Sequence, residues 1–203
     1  MNNINNIILF ITGTPGVGKT TIADNLNGIL NKKYDSKLIK INELAIENNL
    51  IKGKDLEKGY KIVDIDKLSK KLNETIDCFF SDDNIPKIAI VEGHLSHLCS
   101  IEINKDNTVN HIFKVIVLRL NPNILQKRLN ARDYSEDKIH ENLEAEALGV
   151  CSVEAYENHG NNVNEINTTN LEVKDILSLV ESILFDEKQF PAGDVDFMQW
   201  ILD

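Results

Sequence analysis

Residues 13–20 read Gly-Thr-Pro-Gly-Val-Gly-Lys-Thr and fit the phosphate-binding loop pattern G-x-x-x-x-G-K-[ST] without a mismatch. An apolar, β-favouring run at residues 7–11 precedes this loop, and an amphipathic helical pattern at residues 21–30 follows it. In this order of strand, loop and helix, backbone N–H groups and the positive end of the helix dipole surround one anionic pocket. The stretch therefore predicts a site for a nucleoside triphosphate. A chance glycine-rich turn is disfavoured, because the strand and the helix are both in place.

The loop residues have separate predicted roles. Gly13, Gly16 and Gly18 permit positive φ angles and let the backbone approach phosphate oxygens closely. We expect Lys19 to reach the β- and γ-phosphates of ATP, and we expect the Thr20 hydroxyl to bind Mg²⁺.

Composition describes an ordinary globular protein. The chain has 203 residues, of which 42% are apolar and 27% charged, so one domain spanning residues 1–203 is the simplest organisation. Its three cysteines are widely spaced and form no C-x-x-C pair, which argues for a reducing compartment and against a disulfide framework or a structural zinc. Neither a signal-peptide pattern nor a run of about 20 apolar residues is present, so we predict a cytoplasmic protein without a membrane segment.

Charge limits the partners that the surface would attract. The net charge of −10 opposes binding along a nucleic-acid backbone, so we expect no direct sequence-specific nucleic-acid binding. An acidic surface suits a basic protein partner, although solubility alone also explains it.

Arginine use is confined to one region. Of the 22 basic side chains, only Arg119, Arg128 and Arg132 are arginines, and all three lie within one short window. Arginine binds phosphate oxygens with a planar, permanently charged fork, whereas lysine acts as a point charge. The cluster therefore indicates a phosphoryl-transfer site, with chance clustering or codon bias as the alternative.

Strand and helix patterns alternate along the chain. Short apolar runs at 88–91 and 113–118 are typical of buried parallel strands, and a long helical pattern spans 137–156. This alternation predicts an α/β fold, with a parallel sheet covered by helices on both faces. Ligands bind such sheets at the carboxyl ends of the strands, where the phosphate loop, Glu92 and Arg119 all fall.

The sequence Val-Glu-Gly-His at residues 91–94 directly follows the third apolar strand. An acidic side chain at this point of a phosphate-loop enzyme holds the water shell of Mg²⁺, which is the role we expect for Glu92. We expect His94 to orient water or substrate, or to act in acid–base catalysis. A solvated strand end is the alternative for both residues. His97 and Cys99 have metal-like spacing, but the lack of a second ligand pair disfavours a metal site.

Seven stretches, in order through most of the chain, match a family pattern: GTPGVGKTT (13–21), INELAIENNL (41–50), YKIVDIDKL (60–68), VEGHLSHL (91–98), VIVLRLNPNILQKRL (115–129), RDYSEDKIHENLEAEALGV (132–150) and VEAYE (153–157). They resemble the adenylate kinase isoenzyme 6 group, also called coilin-interacting nuclear NTPases, and its archaeal members in particular. The resemblance implies a phosphate-loop fold of the nucleoside monophosphate kinase type, with a five-stranded parallel sheet. It further implies a small monophosphate-binding arm at about residues 40–63 and a lid at about residues 131–141.

The same resemblance assigns roles to individual positions. Arg132 matches a lid arginine that contacts ATP, and Arg128 matches the arginine one helical turn earlier. The acidic-x-His pair of the family falls on Glu92 and His94. The nucleotide-binding set that the family loop implies consists of Gly13, Gly16, Val17, Gly18, Lys19, Thr20 and Thr21.

The resemblance also implies activities and partners. The resemblance implies a broad-specificity nucleoside monophosphate kinase that also has ATPase activity. It further implies a role late in the maturation of the small ribosomal subunit and its rRNA. ATP and Mg²⁺ would be the cofactors and AMP the expected acceptor. A small-subunit ribosomal platform protein (S eleven) and the pre-small-subunit particle would be the partners. In this chain Ile46 replaces a basic residue of many members, Asp133 replaces a glycine, and the loop at 100–111 is longer.

Three functions stay open at this point. The first is a nucleoside monophosphate kinase that converts ATP and AMP to two ADP. The second is an ATP-driven ribosome assembly factor with negligible metabolic kinase activity, which the acidic charge and Ile46 favour. The third is another small phosphate-loop kinase, for shikimate or a nucleoside. At the C-terminus, the stretch 185–203 with Trp200 is expected to pack against the sheet, and a partner-binding tail is the alternative.

Overall fold

Parallel strands form the centre of the molecule. The structure is a computed structural model that describes residues 6–54, 61–81, 86–102, 111–132 and 134–202. Within these ranges the strands are β1 (Ile7–Thr12), β2 (Asp35–Lys40), β3 (Ile51–Lys54), β4 (Lys61–Val63), β5 (Lys87–Glu92), β6 (Ile112–Arg119) and β7 (Val163–Asn167). Five of them form one sheet with the order β2-β5-β1-β6-β7, in which every neighbouring pair is parallel. Strands β3 and β4 pair separately as an antiparallel hairpin.

Helices follow most strands, as the alternating sequence pattern predicts. In the described part of the chain they are α1 (Lys19–Leu30), α2 (Ile41–Glu47), α3 (Ile65–Phe80), α4 (Pro122–Asn130), α5 (Glu136–Ala147), α6 (Val150–His159), α7 (Val173–Leu184) and the short α8 (Gln199–Leu202). Single 3-10 turns lie at Ser96–Leu98 and Gly160–Asn162. None of the described helices combines the length and the apolar character that a membrane span requires.

Two apolar layers cover the sheet, one on each face. Alternate residues of a strand point to opposite faces, so in β1 Leu9 packs with α1 and α7, whereas Phe10 packs with α3 on the other side. The three inner strands β5, β1 and β6 are therefore buried on both faces, which explains their mostly apolar sequences. The predicted α/β architecture, a five-stranded parallel sheet between helices, is confirmed.

A glycine divides the long helical pattern predicted at 137–156. The chain instead forms α5 and α6, which meet at Gly149 with a φ angle of 67°. A Cβ atom at this position would lie 3.2 Å from Nη1 of Arg119. The left-handed backbone and this close approach both require glycine, so the prediction of one continuous helix was wrong.

The ranges predicted for the arm and the lid contain small elements that lie almost entirely outside the sheet. The range 40–63 contains α2 and the β3–β4 hairpin, whose connecting residues 55–60 lie outside the described residues. The range 131–141 contains the turn after α4 and the first part of α5, which begins with the Ser135 side chain accepting the backbone N–H of Lys138. Asp133 and most of the loop at 100–111 are also outside the described residues.

The C-terminal segment returns to the edge of the sheet. Pro191 forms an antiparallel bridge with Asn164 of β7, and the N–H of Glu165 donates to the carbonyl of Phe190 at 2.8 Å. Phe190 and Trp200 pack against the core layer that contains α1. This segment therefore packs against the sheet as expected.

Candidate active site

The predicted phosphate loop joins β1 to α1 through glycines with left-handed backbone angles. Gly13, Gly16 and Gly18 have φ angles of 132°, 98° and 111°. A Cβ atom on Gly13 would lie 2.4 Å from the carbonyl oxygen of Leu118, and one on Gly16 would lie 2.8 Å from Cδ1 of Leu125. Backbone strain and steric contact therefore both exclude side chains at these two positions, and they explain the spacing of glycine in the motif.

Lys19 begins α1, and its ammonium group turns back over the loop. The Nζ atom donates to the carbonyl oxygens of Gly13 at 2.8 Å and Thr14 at 3.0 Å, and the side chain is buried. Burial lowers the pKa of Lys19 to about 8, against the opposing charges of Glu92 and Glu146. A buried ammonium with only carbonyl partners is a favourable site for an anion, since added negative charge would restore its ordinary pKa.

Thr20 and Glu92 meet at the carboxyl ends of two neighbouring strands. Residue Ile11 of β1 pairs with Glu92 of β5, which places the carboxylate beside the first turn of α1. The Thr20 hydroxyl donates to Oε1 of Glu92 at 3.0 Å. The structure thus brings together the two oxygen donors that the sequence predicts for Mg²⁺.

Two of the three arginines lie near the loop. Arg128 on α4 donates through Nη1 to the carbonyl oxygens of Gly16 at 3.3 Å and Val17 at 3.2 Å. Arg132 lies in the exposed turn after α4, and its charge contributes to the lowered pKa of Lys19. Helix α4 therefore carries positive charge along one side of the loop.

Arg119 lies at the same end of the sheet but has a different environment. It is 2% exposed, and it donates to Oε1 of Glu146 at 3.0 Å and to Oε1 of Glu165 at 2.7 Å. Strand alternation places it with Val117 on the face opposite α1, whereas Leu118 points to the α1 side. Its charge is paired inside the protein with two carboxylates, so Arg119 does not belong to the phosphoryl-transfer site that the arginine cluster indicated, and that interpretation is left to Arg128 and Arg132.

Sequence reasoning missed Glu146, which contacts the phosphate loop. Its Oε2 accepts the Thr14 hydroxyl at 2.5 Å, and its Oε1 accepts Arg119 and the backbone N–H of Leu120 at 2.8 Å. A signal was present, because Glu146 follows Ile139 and Leu143 on the buried face of α5. A carboxylate at a core position of a helix indicates a buried polar partner.

His94 follows the strand end that carries Glu92. Burial and the nearby charge of Lys19 lower its pKa to about 4. The imidazole is therefore neutral at pH 7, and it offers a hydrogen-bond donor and an acceptor instead of a positive charge.

His97 uses both ring nitrogens within the protein. Nδ1 lies 2.6 Å from the Thr12 hydroxyl, and Nε2 lies 2.9 Å from Oε2 of Glu154 on α6. Cys99 is buried and lies 3.8 Å, through its sulfur, from the carbonyl oxygen of Leu95. His97 therefore holds the turn after β5 against the end of β1, and it has no nitrogen free for a metal.

The remaining predicted positions lie around this centre. Val17 is buried under the loop, and Thr21 is exposed on the first turn of α1. In the predicted arm, Ile46 is 53% exposed on α2. At the end of β2, Lys40 pairs in register with Glu92 and forms an ion pair with Asp24 of α1 at 3.3 Å.

Comparisons with known proteins place the chain in a family. A family model described as an AAA domain matches residues 9–149. A provisionally named adenylate kinase of Methanothermobacter thermautotrophicus is 40% identical over 195 residues, which cover 96% of this chain and 99% of that protein. One from Pyrococcus furiosus is 37% identical over 193 residues, with coverage of 94% and 91%.

A solved structure is similar in fold. The thymidylate kinase of Candida albicans has a TM-score of 0.52 at 13% identity, and the match covers 90% of this chain and 92% of that one. At this identity the likeness concerns the fold alone. The sequence relatives match over nearly their whole length, and the chain therefore belongs to the AAA-domain family of provisionally named archaeal adenylate kinases.

Proposed function

We propose that the chain is an ATP-dependent phosphotransferase of the adenylate kinase type, which transfers the γ-phosphoryl group of ATP to AMP. The observation that carries the proposal is the convergence of the glycine loop, the buried Lys19 ammonium and the Thr20–Glu92 pair at one edge of the sheet. The family of provisionally named adenylate kinases supports the same reaction class.

Lys19 and the loop amides provide the binding site for the triphosphate. Phosphate oxygens compete with the carbonyls of Gly13 and Thr14 for the three N–H groups of the ammonium. Because the site is buried, these charge-assisted hydrogen bonds are stronger than they would be in water. The loop therefore fixes the β- and γ-phosphates for in-line transfer.

Thr20 and Glu92 fit a Mg²⁺ ion. A hydroxyl and a carboxylate oxygen lie 3.0 Å apart, and hard oxygen donors are the ligands that Mg²⁺ prefers. The ion, when bound, would neutralise the negative charge that develops on the phosphates. The described residues contain no group of three or more His, Cys, Asp or Glu that could hold a metal. In the proposal Thr20 would hold the ion directly and Glu92 would hold its water shell.

Arg128 and Arg132 are the proposed charges on the lid side. Arg128 already contacts the loop carbonyls, and Arg132 follows it in the turn that begins the predicted lid. Closure of residues 131–141 would add the second guanidinium to the transferring group and exclude water. With water present, the same site hydrolyses ATP, so ATPase activity is part of the proposal.

His94 completes the proposed catalytic set as a neutral group. Since its pKa is about 4, it holds no proton to donate as a cation at pH 7. We propose that it orients a water molecule or the acceptor through a hydrogen bond.

The test is to measure ADP and phosphate production from Mg-ATP with and without AMP. We expect two ADP per ATP consumed when AMP is present. Phosphate release, which comes from hydrolysis, should fall when AMP is added, because the acceptor takes the phosphoryl group in place of water. A Lys19→Ala protein purified in parallel controls for contaminating host adenylate kinase. Phosphate release at the same rate with and without AMP would reject the kinase. Transfer to shikimate or a nucleoside, with none to a monophosphate, would assign another metabolite kinase.

A second candidate is an ATP-driven assembly factor for the small ribosomal subunit and its rRNA, in the cytoplasm. The resemblance to the adenylate kinase isoenzyme 6 group suggests it, with the platform ribosomal protein (S eleven) and the pre-small-subunit particle as partners. The exposed Ile46 favours it, because the described part of α2 offers an apolar side chain where a basic one would bind the acceptor phosphate. The net charge of −10 suits a basic partner.

This candidate is tested with the purified ribosomal protein. We expect a complex at physiological salt and a higher rate of ATP hydrolysis in its presence. In cells, Lys19→Ala should stall small-subunit precursors. Normal rRNA processing in that strain would contradict the assembly role and leave the kinase proposal intact.

A further inference from the structure

Thr14 of the phosphate loop is held by a residue from outside the loop. Its side chain is 1% exposed, and its hydroxyl donates to Oε2 of Glu146 on α5. Its carbonyl oxygen accepts both Nζ of Lys19 at 3.0 Å and the N–H of Val17 at 3.3 Å. Thr14 is therefore the residue at which the loop, the catalytic lysine and a distant helix meet.

The Glu146 carboxylate is fixed on all sides. It is 1% exposed, and its other oxygen accepts from Arg119 at 3.0 Å and from the N–H of Leu120 at 2.8 Å. Burial raises its pKa, while the charge of Arg119 and the Thr14 hydrogen bond oppose that rise. Arg119 also donates to the backbone carbonyl oxygen of Glu146 at 2.7 Å, so it binds both the side chain and the backbone of Glu146.

The network continues to the C-terminal segment. Glu165 accepts Arg119 through Oε1, and its Oε2 accepts the N–H groups of Gly193 at 2.7 Å and Val195 at 3.3 Å. The ring of Phe197 lies 5.4 Å from the guanidinium carbon of Arg119. Glu146 is therefore positioned by the sheet and by the C-terminal segment, which leaves it little freedom to follow movements of the loop.

We propose that Glu146 is a positioning residue that sets the conformation of the phosphate loop through Thr14, and thereby sets ATP affinity. The proposal rests on the proposed function as an ATP-dependent kinase. Glu146 is buried and acts through Thr14: it holds the residue whose carbonyl oxygen accepts Lys19, and thereby the loop amides that follow. A loop fixed before binding loses less conformational freedom when the triphosphate arrives.

The first experiment compares Thr14→Val with Thr168→Val. Thr14→Val removes the hydroxyl that Glu146 accepts, and it leaves both ion pairs of Arg119 in place. Thr168 is a matched control, since its buried hydroxyl donates to the Arg119 carbonyl oxygen at 2.8 Å without contacting the loop. We expect Thr14→Val to raise KM and calorimetric Kd for Mg-ATP about tenfold, the effect of one charge-assisted hydrogen bond, with a smaller change in kcat. Thr168→Val should lower Tm comparably and leave both constants unchanged.

The second experiment uses Glu146→Gln as the conservative variant. The glutamine oxygen can accept from Arg119 and Leu120, and its amide can donate to the Thr14 hydroxyl, which also accepts. Positioning is then preserved, and KM for ATP should stay within about threefold of wild type. In a Thr14→Val/Glu146→Gln double variant, KM for ATP should equal that of Thr14→Val alone, because Glu146 acts on the loop through the contact that Thr14→Val already removes. Glu146→Ala is avoided as the sole test, since it leaves Arg119 without one of its carboxylates.

Two results separate the inference from the proposed function. Wild-type ATP constants in Thr14→Val, with Tm lowered as in Thr168→Val, would overturn the positioning role and show a purely structural contact. A wild-type protein that binds no Mg-ATP would overturn the proposed function itself. Weaker binding in Thr14→Val with near-normal binding in Glu146→Gln supports the inference.

Discussion

The two sides of the candidate site are built differently. On the proposed donor side, Lys19, Thr14 and Glu146 are buried and hydrogen-bonded within the protein. On the proposed acceptor side, α2 and the β3–β4 hairpin are short, and Ile46 and Ile62 are 53% and 48% exposed. In the proposed kinase, the ordered donor side would bind the triphosphate with little rearrangement, and the small, exposed elements would close over the acceptor afterwards.

The largest effect should come from the donor side. We expect Lys19→Ala to lower kcat/KM about 10³-fold, because a buried ammonium stabilises charge where it develops. Initial rates of ADP formation measure this, with Lys33→Ala in the exposed turn after α1 as the control. An equal loss of kcat/KM in the two variants would show that Lys19 is not part of the active site.

Arg132 should matter next, and mainly in the transition state. Arg132→Ala is expected to lower kcat about 10²-fold and change KM for ATP little, since the guanidinium arrives with lid closure. Arg132→Lys should recover part of the loss, and Lys127→Ala on the exposed side of α4 should behave as wild type. A change in KM alone would assign Arg132 to ground-state binding.

Removal of the Glu92 charge should alter the Mg²⁺ requirement. In Glu92→Gln the carboxylate that accepts the Thr20 hydroxyl becomes neutral, and the Mg²⁺ concentration for half-maximal activity should rise about tenfold. Asp66→Asn, at an exposed position on α3, serves as the control. An unchanged Mg²⁺ titration would exclude Glu92 from the ion's shell.

ATP affinity should fall in alkaline solution. The pKa of Lys19 in the free protein is about 8, so the ammonium is increasingly deprotonated above that pH, and bound phosphates favour its charged form. We expect Kd for Mg-ATP to rise up to about tenfold per pH unit above pH 8, with proton uptake on binding. Calorimetry in two buffers of different ionisation enthalpy measures both quantities. A flat profile from pH 7 to 10 would show that Lys19 keeps its charge.

The smallest effect concerns the acceptor side. Ile46→Arg restores a basic residue on α2, and KM for AMP should fall about threefold while KM for ATP stays constant. Ile62→Arg adds the same charge to the neighbouring hairpin at similar exposure and should leave KM for AMP unchanged. An equal response of both variants would indicate general electrostatic attraction instead of a phosphate contact.

Local motifs were predictable from the sequence, whereas long-range pairing was not. The loop at 13–20 and Glu92 could be placed because each lies next to its strand, and the edge rule for parallel sheets brings them together. Arg119 looked equivalent to Arg128, since sequence spacing does not show that β6 turns Arg119 toward Glu146 and Glu165. Such pairings join residues distant in the chain, and a single sequence contains no record of them.

Trp200 can serve as an intrinsic fluorescence probe of the region between α4 and α5. Its indole N–H donates to Asn123 of α4 at 3.1 Å, and its ring lies 6.5 Å from that of His140 on α5. These two helices flank residues 131–135, and the chain has a single tryptophan. Intrinsic emission therefore arises from one place, at the junction of two elements that nucleotide would draw together. Stopped-flow fluorescence of unlabelled protein can follow that movement in real time.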